Sequence, residues 1–269
     1  MTDYDLAQVT EVNSTTYSIE KDFTSDILGI WDIWSLATYK DFGANDSYPY
    51  PVTEQNIATI GPTVDLDFRD NPFVPTKGNF TRVNAEYSSP FLGSTKTIEY
   101  WRTTASFTHY SRVDEWQKQP VVWANQLRGG YLKNLSTDPN GGVPWDKKGF
   151  TLGGRSTVRG YEAGTQEVFP NRSDLGDTDK YILTTDSTMF LIKSEVRFPL
   201  YNSLGGALFY DGGAVYITDL YLSDPYRDSA GFAIRYNTPV GPLSLEFAWK
   251  LDKKKGENPW RFHLAIGAF

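Results

Sequence analysis

Residues 243–251 have the sequence Leu-Ser-Leu-Glu-Phe-Ala-Trp-Lys-Leu, in which apolar side chains alternate with small or polar ones. A period of two is typical of a β-strand with two different faces. The segment is also as long as the roughly 9–11 residues that a strand needs to cross a lipid bilayer. One face would carry leucine and aromatic side chains, and the other would carry Ser244, Glu246 and Lys250. The pattern predicts a membrane strand whose apolar face contacts lipid.

The same alternation recurs along most of the chain, whereas helical periodicity does not. It predicts about eleven strands, near 14–23, 27–41, 59–70, 78–90, 98–112, 121–133, 187–199, 204–217, 229–238, 243–251 and 261–269. The connections between them alternate in length, with short turns at 71–78, 113–120, 199–205 and 237–242, and long loops at 42–58, 134–158, 162–186 and 218–228. Short turns at one end and long loops at the other are typical of an antiparallel transmembrane β-barrel. A soluble β-sandwich, the alternative, has no reason to segregate its loops in this way.

The composition supports the same class and excludes others. Aromatic residues make up 15% of the 269 residues, yet the mean hydropathy is −0.45. This combination suits a barrel with aromatic belts and a polar interior. The formal charge of −7 argues against nucleic acid as a partner. The absence of cysteine excludes disulfides and thiolate metal sites. Residues 1–24 lack the basic start and apolar stretch of a signal peptide, so we expect this N-terminus to be that of a mature protein or of a shortened chain.

A glycine-rich segment, 149–161, interrupts the alternation with the sequence Gly-Phe-Thr-Leu-Gly-Gly-Arg-Ser-Thr-Val-Arg-Gly-Tyr. The stretches 134–158 and 162–186 are predicted to form one long hairpin loop, and Arg159 lies near its middle. Alternation puts Glu195 on the polar face of its strand, and Asp211 lies among small residues. A guanidinium group is a planar fork that can bridge two carboxylates. From these residues alone, a solvated loop arginine is the simpler interpretation.

Four motifs in order give a more specific indication. They are Asp-Phe-Arg-Asp-Asn-Pro-Phe-Val-Pro-Thr-Lys-Gly at 67–78, Leu-Gly-Gly-Arg-Ser-Thr-Val-Arg-Gly-Tyr at 152–161, Phe-Tyr-Asp-Gly-Gly at 209–213 and Pro-Val-Gly-Pro-Leu at 239–243. Together they resemble the outer-membrane protein assembly factors of the BamA and TamA type, within the bacterial surface antigen superfamily. The resemblance covers roughly residues 59–269.

The resemblance implies an all-β barrel of about sixteen antiparallel strands that follows periplasmic POTRA domains. Residues 1–269 would then be the C-terminal portion of the barrel domain, without the POTRA domains and the early strands. The implied function is the insertion of other β-barrel proteins into the bacterial outer membrane, without enzymatic activity. The implied partners are outer-membrane lipids, nascent β-barrel proteins and accessory subunits that bind the POTRA domains.

The resemblance also implies functional residues. The loop motif would fold into the lumen and be locked by two acids; its residues are Gly153, Gly154, Val158, Arg159, Gly160 and Tyr161, and the acids are Glu195 and Asp211. The strand–turn motif would consist of Asp67, Arg69, Asp70, Pro72 and Gly78. The C-terminal strand, which would carry the signal by which barrel proteins are recognised, contains Phe262, Leu264, Ile266 and Phe269.

Other functions remain open at this point. A two-partner secretion transporter of the same superfamily is one alternative, and a porin-like barrel is another. The sequence carries no Walker loop, nucleophile elbow, zinc-protease motif or dinucleotide fingerprint, and both histidines, His109 and His263, lie on predicted strands. The aspartates of 174–179 lack EF-hand spacing, so we expect no metal site and no cofactor. We further expect an ordinary charge cluster inside the barrel, formed by Asp65, Asp67, Arg69, Arg82 and Glu86.

Overall fold

The computed structural model describes residues 9–22, 28–42, 55–116, 118–138, 141–162, 182–218, 225–238, 241–255 and 257–266. In chain order the elements are β1 (Val9–Asp22), β2 (Leu28–Phe42), β3 (Gln55–Asp67), β4 (Gly78–Ser88), a 3₁₀ turn (Pro90–Leu92), β5 (Tyr100–Trp116), β6 (Gln119–Asn134), β7 (Val143–Pro144), α1 (Trp145–Lys148), β8 (Ile182–Leu183), β9 (Ser187–Tyr201), β10 (Leu204–Ile217), β11 (Tyr226–Thr238), β12 (Gly241–Lys250) and β13 (Trp260–Ile266). None of the helices in these ranges is long and apolar enough to cross a membrane.

Eleven of the strands form a single antiparallel sheet. Each of them pairs with the strands before and after it in the chain, except that β7 and β8 are passed over between β6 and β9. The order is β1-β2-β3-β4-β5-β6-β9-β10-β11-β12-β13, and β7 and β8 form a separate small pair. Within the described residues, β1 and β13 are the edge strands of the sheet. The predicted strand number and the antiparallel arrangement are therefore confirmed.

From β5 to β13 the connections alternate in length as predicted, whereas the connection 68–77 between β3 and β4, predicted to be short, is nearly as long as 89–99 between β4 and β5. Only Asn202 and Ser203 separate β9 from β10, whereas β6 and β9 are separated by the whole of 135–186. The predicted turn at 113–120 is too long, because β5 continues to Trp116 after a register shift between Arg112 and Asp114. An inserted residue of this kind bends a strand without ending it, which alternation in the sequence does not reveal.

The two faces of the sheet are the reverse of those in a soluble protein. In β12, Leu245 is 38% exposed and Trp249 is 44% exposed, whereas Ser244 and Glu246, on either side of Leu245, are each at most 1% exposed. We call the face with the buried polar side chains the inner face and the opposite one the outer face. Exposed apolar side chains continue along the outer face, including Phe107, Trp123, Leu127, Phe190, Val196, Leu208, Phe232, Ile234, Phe262 and Leu264. A continuous apolar surface of this extent is stable in lipid and not in water.

A row of aromatic rings crosses the last three strands on the outer face. Phe247 is paired with Phe232 on one side and Phe262 on the other, and both pairs of ring centroids are 5.1 Å apart. Cross-strand aromatic pairs stabilise the register in which they meet. This register is the one that directs Glu246 to the inner face.

The interior beside the inner face is filled by the connection between β6 and β9. Its side chains pack with apolar residues of the strands in one buried cluster, whose members from the connection are Val143, Phe150, Leu152, Val158, Tyr161 and Leu183, and whose members from strands β5, β6, β9 and β10 include Tyr100, Leu132, Leu191 and Val215. Each large apolar side chain buried in this way contributes about 1.5–3 kcal/mol. The sequence motifs did not indicate this apolar component of the loop.

Candidate functional site

The segment 149–162, which we call the inner loop, has a compact backbone that depends on two glycines. Gly153 has φ +110° and Gly154 has φ +77°, values that other residues rarely adopt. The amide of Gly154 donates to the carbonyl of Tyr161 at 2.8 Å, which closes the loop. Inside it, the Thr157 hydroxyl donates to the Gly153 carbonyl and accepts from the Gly153 amide, both at 2.7 Å. The closed loop holds Arg159 toward the inner face of the sheet.

Arg159 binds Asp211 of β10 through three hydrogen bonds. Its Nε and Nη2 donate to the two carboxylate oxygens at 2.6 and 2.7 Å, and its backbone amide donates to Oδ2 at 3.1 Å. The Arg159 side chain is 1% exposed and the Asp211 side chain is fully buried. The guanidinium group also lies 3.4 Å from the centroid of the Phe209 ring, on the same strand. Main chain and side chain of one residue are therefore held at a single position on β10.

Two more acids complete the surroundings of the guanidinium group. Nη1 of Arg159 donates to Glu195 of β9 at 3.0 Å and lies 3.5 Å from Glu246 of β12. The structure thus brings together Arg159, Glu195 and Asp211. Glu246 was not among the residues selected from the sequence, although it is the acid on the polar face of 243–251. That alternation was the signal that could have identified it.

Further cations share these acids. Glu195 Oε1 lies 2.7 Å from Arg197 Nε and 2.7 Å from Arg235 Nη2. Glu246 also binds Arg155 of the inner loop at 3.3 Å. Because all of these groups are buried or half-buried, each ion pair is screened little by water. The site is a network spread over β9, β10, β11 and β12, and not a single salt bridge.

The other residues of the loop motif extend the contact to β11 and the end of β12. The amide of Gly160 donates to the Ser229 hydroxyl at 3.1 Å. A Cβ at Gly160 would lie 2.6 Å from Ser229 Cβ, so glycine is required for this approach. Val158 is fully buried in the apolar cluster.

Tyr161 forms a second polar anchor. Its hydroxyl donates to Asp252, which follows β12 and also accepts from Arg227 at 2.7 Å. Burial and this hydrogen bond raise the pKa of Tyr161, so its hydroxyl stays protonated as a donor. Burial alone would raise the pKa of Asp252, but the hydrogen bonds from Tyr161 and Arg227 outweigh it and lower that pKa. Asp252 therefore remains an ionised acceptor at neutral pH.

The N-terminal side of the inner loop is seated on β4, β5 and β6. Phe150 lies against Gly130, where an added Cβ would come within 2.5 Å of the ring, and Arg102 stacks on the same ring at 4.8 Å. Just before the loop, Lys148 Nζ binds Glu86 of β4 at 3.1 Å. Between Lys148 and Tyr161 the chain thus contacts strands from β4 to β12.

The predicted strand–turn motif forms a well-bonded turn between β3 and β4. Arg69 binds Asp67 at 2.5 and 2.8 Å and donates to the Pro72 carbonyl at 3.1 Å. The Asp70 carboxylate accepts from both the amide and the hydroxyl of Thr76, at 2.8 and 2.5 Å. Burial would raise the pKa of Asp70, but these hydrogen bonds outweigh it and lower the pKa. Gly78 has φ +101°, and a Cβ there would lie 2.1 Å from the Phe68 carbonyl oxygen.

The expected charge cluster near this turn is only partly correct. Arg82 binds Asp65 at 2.5 and 2.7 Å, and Arg69 binds Asp67. Glu86 belongs elsewhere: its partners are Lys148 and, at 3.6 Å, Arg102. The prediction was wrong for Glu86 because the loop that supplies its partner is distant in sequence.

The predicted C-terminal strand and the aspartate-rich segment are only partly described by the structure. Phe262 and Leu264 are exposed on the outer face of β13. The Ile266 side chain, Phe269 and the aspartates of 174–179 lie outside what the structure describes. In the described ranges, no group of three or more His, Asp or Glu side chains is arranged to hold a metal ion.

Residues 33–269 match the Omp85 superfamily domain. The chain belongs to the Omp85 superfamily. It is 24% identical over 230 residues to the outer membrane protein assembly factor BamA of Neisseria meningitidis serogroup B, covering 74% of this chain and 27% of that protein. It is 23% identical over 208 residues to BamA of Nitratidesulfovibrio vulgaris, covering 76% and 24%. The chain therefore spans about a quarter of the length of these curated relatives.

Two further similarities broaden the comparison. The chloroplastic outer envelope protein 80 of Arabidopsis thaliana is 28% identical over 131 residues, which are 44% of this chain and 14% of that protein. The crystal structure of BamA from Haemophilus ducreyi lacking POTRA domains 1–3 superposes with a TM-score of 0.69 at 16% identity, over 96% of this chain and 54% of that one. The resemblance to the BamA type and the transmembrane β-barrel class are thereby confirmed. The similarity to BamA proteins, together with the β-barrel fold, indicates the bacterial outer membrane as the location.

Proposed function

We propose that residues 1–269 are the C-terminal portion of the barrel domain of an outer-membrane assembly factor. In this proposal the protein inserts other β-barrel proteins into the outer membrane and carries out no chemical reaction on them. Membership of the Omp85 superfamily and similarity to two bacterial proteins named as assembly factors support it. The lipid-facing outer face supports the membrane location.

The observation that carries the proposal is the clamp on Arg159. A loop arginine with a 1% exposed side chain binds Asp211 and Glu195 on two strands and approaches Glu246 on a third. Removing one partner of a buried ion pair typically costs about 3–5 kcal/mol, because the other charge stays buried without compensation. A partial release of the loop that leaves one of these charges buried and unpaired is therefore costly. A docked loop would keep the inner face in one shape while strands of a substrate protein are accepted.

The partners of the proposed function differ in how they would bind. Lipids contact the apolar side chains of the outer face. Nascent β-barrel proteins would pair with an exposed sheet edge, since a free edge offers unpaired backbone groups. Accessory subunits would bind POTRA domains, which the family resemblance places before the barrel.

The test is Arg159→Ala in the full-length protein, reconstituted in lipid vesicles and assayed for folding of an added outer-membrane barrel protein. We expect the variant to insert into the membrane and to assemble its substrate much more slowly than the wild type. Arg159→Lys should also be impaired, because lysine keeps the charge but lacks the planar fork that grips Asp211. Arg82→Ala is the matched control, since the Arg82 side chain binds Asp65 in the same bidentate way but is 54% exposed.

Wild-type assembly rates in Arg159→Ala would refute the role given to the clamp. Export of a single soluble partner, or solute-selective conductance with no effect on other barrels, would instead favour a secretion transporter or a porin.

A further inference from the structure

The edge strand β13 makes direct polar contact with the inner loop. It pairs with β12 from Trp260 to Ile266, and in the described part of the sheet no second strand lies on its other side. Phe262 and Leu264 face outward, so the inward side chains are Arg261, His263 and Ala265. Two of these three side chains bond to the loop.

His263 bonds to the main chain of the clamped arginine. Its Nε2 lies 2.7 Å from the carbonyl oxygen of Arg159. A carbonyl oxygen can only accept, so the imidazole donates through a proton on Nε2. Since the Arg159 amide and guanidinium are both fixed on Asp211, the position of this carbonyl is set by the clamp. The bond therefore links the position of β13 to the docked state of the loop.

Arg261 provides a second link two residues earlier. Its Nη2 lies 2.7 Å from Oε2 of Glu162, at the end of the inner loop. Arg261 is paired with Ala248 in the sheet, and His263 with Glu246. The two links are therefore successive inward positions along the same strand.

Packing between the loop and β13 is loose around these two bonds. An open pocket of about 440 Å³ lies between the loop and β13 beside these bonds, lined by Gly154, Arg155 and Glu162 on the loop side and by Asn258, Trp260, Arg261, Phe262 and His263 on the other. Apolar packing, which is not directional, therefore contributes little at this contact. The polar bonds of His263 and Arg261, which are directional, therefore determine the distance and the angle between the loop and the edge strand.

We propose that His263, assisted by Arg261, is the positioning residue through which the docked inner loop holds the edge strand β13 in place. The sequence of contacts runs from Asp211 to the Arg159 side chain, along its backbone to the carbonyl, and from there to His263. The inference deepens the proposed function, on which it rests, by assigning the control of the edge strand to named side chains. It also explains why a histidine occupies the inner face of β13 between the small or polar positions of a membrane strand.

Hydrogen–deuterium exchange of the full-length protein in lipid nanodiscs tests the proposal. His263→Phe keeps a ring of similar size and removes the donor, whereas His263→Gln keeps an amide donor at similar reach. We expect the amides of 260–266 to exchange about five- to tenfold faster in His263→Phe, the effect of one lost hydrogen bond, and close to the wild-type rate in His263→Gln. Exchange in 151–159 should rise by no more than the same factor, because release of the loop breaks the same bond. His109→Phe is the matched control, because His109 lies on the outer face of β5 and its ring forms a hydrogen bond with Ser111 of the same strand.

A charge exchange tests the second link independently. Arg261→Glu should accelerate exchange in β13, and the double variant Arg261→Glu with Glu162→Arg should restore it. The proposal is overturned if His263→Phe leaves β13 exchange within roughly twofold of the wild type, the scatter expected for no lost bond, or if the glutamine variant behaves like the phenylalanine variant. Because this readout is exchange and not assembly, its outcome is separate from that of the proposed function. A wild-type protein that folds no added barrel protein would reject the proposed function, and a normal assembly rate in Arg159→Ala would reject the role of the clamp in assembly. Neither result would change the exchange expected for β13.

Discussion

Replacing Asp211 with alanine is the most informative perturbation of the clamp. The substitution removes the acceptor of three hydrogen bonds from Arg159, two from the guanidinium group and one from the backbone amide. The change is confined to β10, which is paired along its length with β9 and β11. We therefore expect the strand to keep its register and the loop to lose its main attachment.

The magnitude follows from burial and from the partners that remain. The Arg159 side chain is 1% exposed, so its charge would stay in a poorly solvated place. Glu195 can compensate it only in part, because Arg197 and Arg235 already bind that carboxylate at 2.7 Å. Breaking a buried pair costs about 3–5 kcal/mol. Since about 1.4 kcal/mol corresponds to a factor of ten, the released loop should become about a hundredfold to several thousandfold more populated.

Hydrogen–deuterium exchange of peptides from 151–162 measures this population, because exchange of the amides requires the loop to open. Asp65→Ala is the control, since Asp65 also binds one arginine in a bidentate way. The partner of Asp65 is Arg82, whose side chain is 54% exposed, so the loss there should be about 0.2–1 kcal/mol. The two variants differ mainly in the burial of the arginine that each one leaves without its partner, so a large difference in loop exchange is predicted between them.

A double-mutant cycle provides the refutation. If the cost of Asp211→Ala arises from the uncompensated guanidinium group, then Arg159→Ala in the same protein should relieve part of it, and the two changes should not be additive. Additive costs, or less than about a tenfold change in loop exchange for Asp211→Ala, would show that the ion pair does not hold the loop.

Two further predictions concern other parts of the inner loop. Gly153→Ala should destabilise the docked loop by about 1–3 kcal/mol, measured by loop exchange, because Gly153 has φ +110° and an added Cβ would lie 1.8 Å from a backbone oxygen. Gly129→Ala should be much milder, because the added Cβ would lie 3.9 Å from the Met189 carbonyl oxygen, an ordinary contact distance. Asp252 has a lowered pKa, so its stabilising bonds with Tyr161 and Arg227 are complete above the ordinary value near 3.9 and are lost as pH falls below it. When the pH is lowered from 7 to 3, the melting temperature of Asp252→Asn should therefore fall less than that of the wild type. An equal fall in both proteins would contradict this assignment.

Alternation in the sequence was sufficient to predict which side chains face inward, but not which of them meet. Period two places Glu195 and Glu246 on the inner face whatever the loops do. The distances from these two acids to Arg159 depend on the stagger of strands β9 to β12. That stagger is fixed by cross-strand pairs such as Phe209 with Glu195 and Ala233 with Glu246. The stagger is a property of the assembled sheet, and so the third acid of the clamp was not identified.

The loop was harder to predict than the strands for a different reason. Its motif residues were recognisable through Arg159, but its attachment at Phe150 and Lys148 depends on partners far away in the chain, Gly130 and Glu86. Neither partner belongs to a repeating pattern that points to the loop. The same holds for His263, whose position on a strand suggests a structural role and whose actual partner is a loop carbonyl.

The arrangement of apolar residues explains why a loop provides the buried apolar packing of this sheet. In a soluble sheet the apolar face provides the core, but here that face is directed outward to lipid, and the inner face carries charges instead. The largest cluster of buried apolar side chains is built around Phe150, Leu152, Val158 and Tyr161, so the inner loop takes the place of a core. Apolar contacts of this kind provide attraction without a unique geometry, whereas the bidentate pair of Arg159 and Asp211 fixes one. Val158 and Tyr161 lie on either side of Arg159 and belong to this cluster. Release of the loop from β10 therefore breaks the clamp and uncovers part of the cluster, and the two costs are incurred together.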